Sequence, residues 1–116
     1  MSDGREIVRE ARELVEGIIG EMKAVEGFSG QGFLNGVEAA FVDLGHLENR
    51  PTLRTQRGTS LSYPVMEAAT ILEEAFKGYQ THGEKYLEEV KFRAAAFVDA
   101  VNGLKGGLQS KTIILT

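Results

Sequence analysis

A chain of 116 residues holds material for about one domain with a modest core, and 42 % hydrophobic with 26 % charged residues is the balance of a chain that folds. The formal net charge of -4 works against a general nucleic-acid binder or a membrane-surface binder, both of which need a basic face. The absence of cysteine excludes disulfides, thiolate zinc sites, iron–sulfur clusters and cysteine nucleophiles.

The opening segment "MSDGREIVREARELVEGIIG" is charged throughout and contains no apolar run of the kind a cleaved signal peptide requires, so the chain is expected to start in the cytoplasm. Within it, Ile7, Val8, Ala11, Leu14, Val15, Ile18, Ile19, Met22 and Val25 fall on one stripe at about 100° per residue. Arg5, Arg9, Arg12, Glu13 and Glu16 lie opposite, which predicts a first amphipathic helix over about 4–26. Gly27 is its stop signal, and Ser29 is placed to cap the next helix. Phe33, Val37, Ala40, Leu44 and Leu47 then step by fours and threes, with Leu34 and Phe41 widening the face, and predict a second helix over about 31–48.

The segment "NRPTLRTQRGTSLSY", residues 49–63, breaks the period with Pro51 and Gly58 and carries Arg50, Arg54 and Arg57 without an acid. It reads as an exposed basic loop. With Ser62 as cap and Pro64 in the first turn, the apolar series resumes from Val65 through Phe76, Tyr79, Leu87 and Phe97 to Leu104. This predicts a long helix over about 64–104, continuous or broken near Gly78 or Gly83, where two successive steps of four shift the phase. "NGLKGG" at 102–107 is a stop signal, and "SKTIILT" after it is β-branched and apolar, an extended tail over 108–116. The fold class expected is all-α: a helical hairpin or a three-to-four-helix bundle, residues 1–107, with a long C-terminal helix and a short extended tail.

Motifs for chemistry fail on inspection. Gly30, Gly32 and Asn35 make G-x-G-x-x-N after an amphipathic helix, where a dinucleotide fingerprint needs a third glycine and a preceding strand. A nucleophile elbow from Gly27 through Ser29 meets Gln31 where its last glycine belongs. "GGLQSKT" has Lys105 and Ser110 at the two glycine positions of a phosphate-binding loop. Asp43 and His46 stand one turn apart like half of a metal motif, but His82 is preceded three residues earlier by Tyr79. The adjacent acids Glu73 with Glu74 and Glu88 with Glu89 point about 100° apart on a helix and do not converge. No catalytic residue, cofactor or metal is therefore expected, and the aromatics Phe33, Phe41, Phe76, Tyr79 and Phe97 are assigned to the core. Tyr86 and Phe92 are the aromatics assigned to a partner surface.

Between the first two helices, "FSG" at Phe28–Gly30 resembles the W-x-G turn of the small helical-hairpin proteins exported by type VII secretion. The likeness extends to an amphipathic helix before it and "GVEAAF" after it. That resemblance implies an antiparallel hairpin that pairs with a like or unlike hairpin into a four-helix bundle, and export of the folded protein without a cleaved signal. The chain departs from the pattern in several places. Phe28 replaces the tryptophan, and the basic loop interrupts the second helix. The export pattern Y-x-x-x-D/E occurs only at Tyr63 to Glu67, and it fails from Tyr86, where Val90 stands in the acid's place.

The function expected is a non-catalytic helical protein–protein interaction module, a homo-oligomer or one half of a pair. Its partner-binding residues would be Phe28, Gly30, Tyr86, Phe92 and the tail residues Ile113, Ile114 and Leu115. Nucleic acid and membrane insertion are not expected. One alternative is a structural subunit of a larger assembly, a phage or injection-machine component, using its tail to add a strand to a neighbour. The other is a small anion-binding protein or enzyme with Arg50, Arg54 and Arg57 closing over the anion.

Overall fold

Asp3 starts the first helix by accepting the Glu6 N–H on its carboxylate at 3.1 Å, so one of the orphan donors of the helix start is satisfied. The structure is a computed structural model and describes residues 3–25 and 31–114. Those residues form four helices, α1 (Gly4–Ala24), α2 (Gln31–Leu47), α3 (Gln56–His82) and α4 (Leu87–Ile114), with single 3-10 turns at Pro51–Arg54 and Gly83–Tyr86. No strand occurs among the described residues, and the fold is an all-α bundle.

The stripes expected of α1 and α2 are the ones that are buried: Ile7, Val8, Ala11, Val15, Ile18, Ile19 and Met22 from one, and Leu34, Val37, Ala40, Leu44 and Leu47 from the other. The two helices run antiparallel, with Arg12 bridged to Glu48 at 2.8 Å and Lys23 to Glu38 at 3.0 Å. α3 and α4 form a second antiparallel hairpin, in which Gly107 of α4 lies against the Leu61 side chain of α3. The hairpins meet with like directions side by side. α1 and α3 begin together where Gly4 abuts Gly58, and α2 runs parallel to α4 with Gly36 opposite Val98 and Asp43 bridged to Lys105 at 3.0 Å. α1 therefore packs on α2 and α3, α4 packs on α2 and α3, and the 48–55 connection crosses a diagonal of the bundle.

Residues 49–63 are not an open loop. Pro51 begins a 3-10 turn that buries Leu53 completely, and Thr55 caps α3, its hydroxyl accepting the Gly58 N–H at 3.0 Å and donating to the Thr52 carbonyl at 2.7 Å. Gly58, whose presence suggests a break, is the point where helix backbone packs on turn backbone, since a Cβ there would overlap the Thr52 carbonyl oxygen. Ser62, expected to be a cap, is a buried mid-helix residue whose hydroxyl donates back to the Gly58 carbonyl at 2.8 Å. Pro64 sits inside α3, where its missing N–H leaves the Ser60 carbonyl without an i+4 donor.

The expected long helix is two helices. The break falls at Gly83, whose φ of +83° is open to glycine at little cost, and Gly78 stays helical beneath the Tyr86 ring. The extended tail expected from 108 is corrected as well, because α4 runs through the glycines of "NGLKGG" to Ile114. Leu104 and Leu108 continue the buried phase of Val101, and Gly107 lets α4 close on Leu61. Packing gain thus outweighs a helix penalty of about 1 kcal/mol per glycine. One core runs through the bundle around Phe76, Phe97, Met22, Leu34, Leu44 and Leu72.

Candidate functional site

The phase of each helix decides which side chains the core leaves out. On α4 the buried residues Val90, Ala94, Phe97 and Val101 mark the face turned to the core, and Phe92 lies on the opposite face. Phe92 is accordingly 63 % exposed, with the Arg93 guanidinium 5.2 Å from its ring centroid. Between α2 and α4 lies a shallow apolar groove, floored by Phe33, Gly36, Ala94, Ala95 and Val98 and rimmed by Lys91 and Asp99. Phe92 does not line this groove; its chain neighbour Lys91 does, and Ala95 lies one turn after Phe92 on α4.

The other aromatic expected on a partner surface is used within the molecule. Tyr86 is half-buried, its ring lying over Gly78 and stacked on His82 with 5.1 Å between centroids. Val42 and Tyr63, which periodicity does not single out, are more than half exposed. Phe28, Gly30 and Leu115 lie outside the described residues. Ile113 and Ile114 close α4, with side chains that are likewise outside the description.

The arginines of 49–63 separate. All three are exposed, but Arg54 on the 3-10 turn meets Arg5 and Arg9 of α1 around an open cleft of about 350 Å³, completed by Asp3, Glu6 and Glu48. Arg5 and Arg9 are four apart and share one face of α1. Of the three acids, Asp3 also caps α1 and Glu48 is bridged to Arg12. Arg54 stands out in sequence within its acid-free segment, whereas Arg5 and Arg9 lie on the polar face of a helix, and nothing in the local pattern shows that α1 and α3 begin side by side.

Several acids of the rejected motifs are paired with cations. Asp43 holds Lys105 across α2 and α4, Glu88 meets Lys91 at 3.5 Å, and Glu89 meets Arg93 at 2.8 Å. Among the described residues no three histidine, aspartate or glutamate side chains are gathered to hold a metal ion, and no helix is long and apolar enough to cross a membrane. Comparison with protein-family models, with curated proteins and with solved structures gives no match.

Proposed function

We propose that the chain is a non-catalytic helical module that binds protein, through the surface formed by Phe92 and the α2–α4 groove. The observation that carries this reading is Phe92 itself. An aromatic ring 63 % exposed beside an apolar groove leaves unused a share of the roughly 1.5–3 kcal/mol that full burial contributes, which a docked partner recovers. The bundle's own core does not need the ring, since Phe76 and Phe97 already fill it.

Kinship with type VII secretion hairpins is a finer form of the same proposal. What supports it is the antiparallel α1–α2 hairpin, in the position the resemblance assigns. The face that such a hairpin would offer a second protein is here covered by α3 and α4 of the same chain, so the partner is proposed to dock on the outside of a finished bundle. Strand addition by the tail is not carried forward, because α4 is helical to Ile114.

The test is size-exclusion chromatography with light scattering at two concentrations, together with photo-cross-linking from a reactive phenylalanine analogue at position 92. A defined oligomer or a defined cross-linked partner is expected, and Phe92→Ser should abolish it. A strict monomer that yields no cross-link from position 92 overturns the proposal.

A further inference from the structure

We infer that the cleft between the starts of α1 and α3 is a docking site for a carboxylate-rich segment of a protein partner, held by Arg5, Arg9 and Arg54. The inference rests on the proposed interaction function and names the chemistry of the partner. Its first support is the distribution of unpaired charge. Every ion pair among the described residues uses Arg12, Lys23, Lys77, Lys91, Arg93 or Lys105. Among the described residues Arg5, Arg9, Arg50, Arg54, Arg57 and Lys85 pair with no carboxylate; Lys85 stands apart at the α3–α4 turn, whereas all five arginines sit on the first turns of α1, the first turn of α3 or the segment that leads into it. With 17 acids to 13 bases in the chain, partners for these arginines are not in short supply, so their isolation reflects where the fold puts them.

The second support is the state of the acids in the cleft. Glu48 is matched by the Arg12 guanidinium, which leaves the carboxylates of Asp3 and Glu6 against the three guanidiniums of Arg5, Arg9 and Arg54, an excess of positive charge in the lining. The arginines are also held on rigid elements. Arg5 and Arg9 ride on α1, Arg54 rides on a turn anchored by buried Leu53, and the two supports are locked where Gly4 meets Leu53 and Gly58 backbone to backbone. Less ordering cost then falls on binding.

The lining has no aromatic ring on which a base could stack. The three guanidiniums are spread over α1 and the 3-10 turn, so that carboxylates spaced along a peptide each take one of them in a two-pronged hydrogen bond.

The experiment is a titration of the full-length, nitrogen-15-labelled protein, reading the arginine Nε–H resonances, with hexaglutamate peptide, inorganic phosphate and an oligothymidylate as separate probes. Hexaglutamate is expected to shift Arg5, Arg9 and Arg54 saturably, and binding should weaken as salt rises. Arg54→Gln should weaken it about fivefold, the scale of one exposed charge pair, while the double change Arg50→Gln with Arg57→Gln leaves it within about twofold. Equal shifts at all five arginines, tighter binding of phosphate or oligothymidylate, or no saturable shift overturns the inference. A partner cross-linked from position 92 alongside a failed titration would leave the interaction module standing and remove this site alone.

Discussion

Replacing Gly58 with alanine tests whether the junction of α1, the 3-10 turn and α3 is set by backbone contact. On an unobstructed helix position the change stabilises by about 1 kcal/mol through helix propensity. At Gly58 the new methyl would overlap the Thr52 carbonyl oxygen and stand 2.5 Å from Leu53 Cα and 2.9 Å from the Leu53 carbonyl carbon. These are backbone atoms, so no rotamer change relieves the clash and the 3-10 turn has to move. Leu53 is fully buried, and drawing it partly out forfeits a share of the roughly 1.5–3 kcal/mol its burial contributes, on top of about 1–3 kcal/mol for overpacking. Against the propensity gain, a net loss of about 2–4 kcal/mol is expected. Gly20→Ala in α1 is the matched control, since nothing lies within 4 Å of a Cβ there, and it should stabilise by about 1 kcal/mol. Urea unfolding followed by circular dichroism reads both. If Gly58→Ala unfolds at the same or a higher urea midpoint than Gly20→Ala with an unchanged slope, the close-packed junction is not what holds this end of the bundle.

Three further changes probe the other places where local rules and the fold disagree. Pro64→Ala restores a donor for the Ser60 carbonyl at an exposed position inside α3, and thermal unfolding should show a gain of about 1–3 kcal/mol. Gly83→Ala forces a Cβ into a φ of +83° and should cost about 1–2 kcal/mol in the same assay, although space around it is open. Thr55→Ala removes the oxygen that receives the Gly58 N–H and should cost about 1 kcal/mol, seen as faster amide exchange confined to the first turn of α3.

How much of this was legible in the sequence follows from where tertiary contact outvotes local chemistry. α1 and α2 were legible because their apolar stripes are regular and their faces are bounded by charge, so one helical period satisfies both propensity and burial. The first two turns of α3 were not, since "TQRGTSLSYP" offers hydroxyls, a glycine and a proline that each favour irregular backbone on their own. What makes them helical is Leu53 beneath, Gly58 against the turn, and hydroxyls turned back onto carbonyls, with Thr59 donating to Thr55 at 3.1 Å and Ser60 to Gln56 at 3.2 Å. The end of α4 departs from its local pattern for the same reason, Gly107 serving as a close-packing position against Leu61 of α3 where the glycines suggest a stop. Gly83, by contrast, is a break by its own dihedral angle and was among the positions the phase shift marked.

The candidate surfaces were legible only in part, and the reason is topological. Phe92 is an aromatic off the main stripe, and its exposure needs only that α4 turn the face of Val90, Ala94 and Phe97 to the core. The arginine cleft needs more: α1 and α3 must start at the same end, which requires the connection after α2 to cross a diagonal and seat Leu53 between them. In a ring where every neighbour is antiparallel, the start of α1 would lie beside the ends of its neighbours, and Arg5 and Arg9 would be separated from the turn carrying Arg54. Parallel packing of α1 on α3 therefore does two things at once. It joins two hairpins into one core through glycine contacts, and it gathers cations that are far apart in sequence at one end of an acidic protein. Only a change that shifts the crossing connection can move both, which is why loss of the Gly58 contact should weaken hexaglutamate binding as well as stability, whereas Pro64→Ala, along α3 from the junction, should leave the peptide titration unchanged.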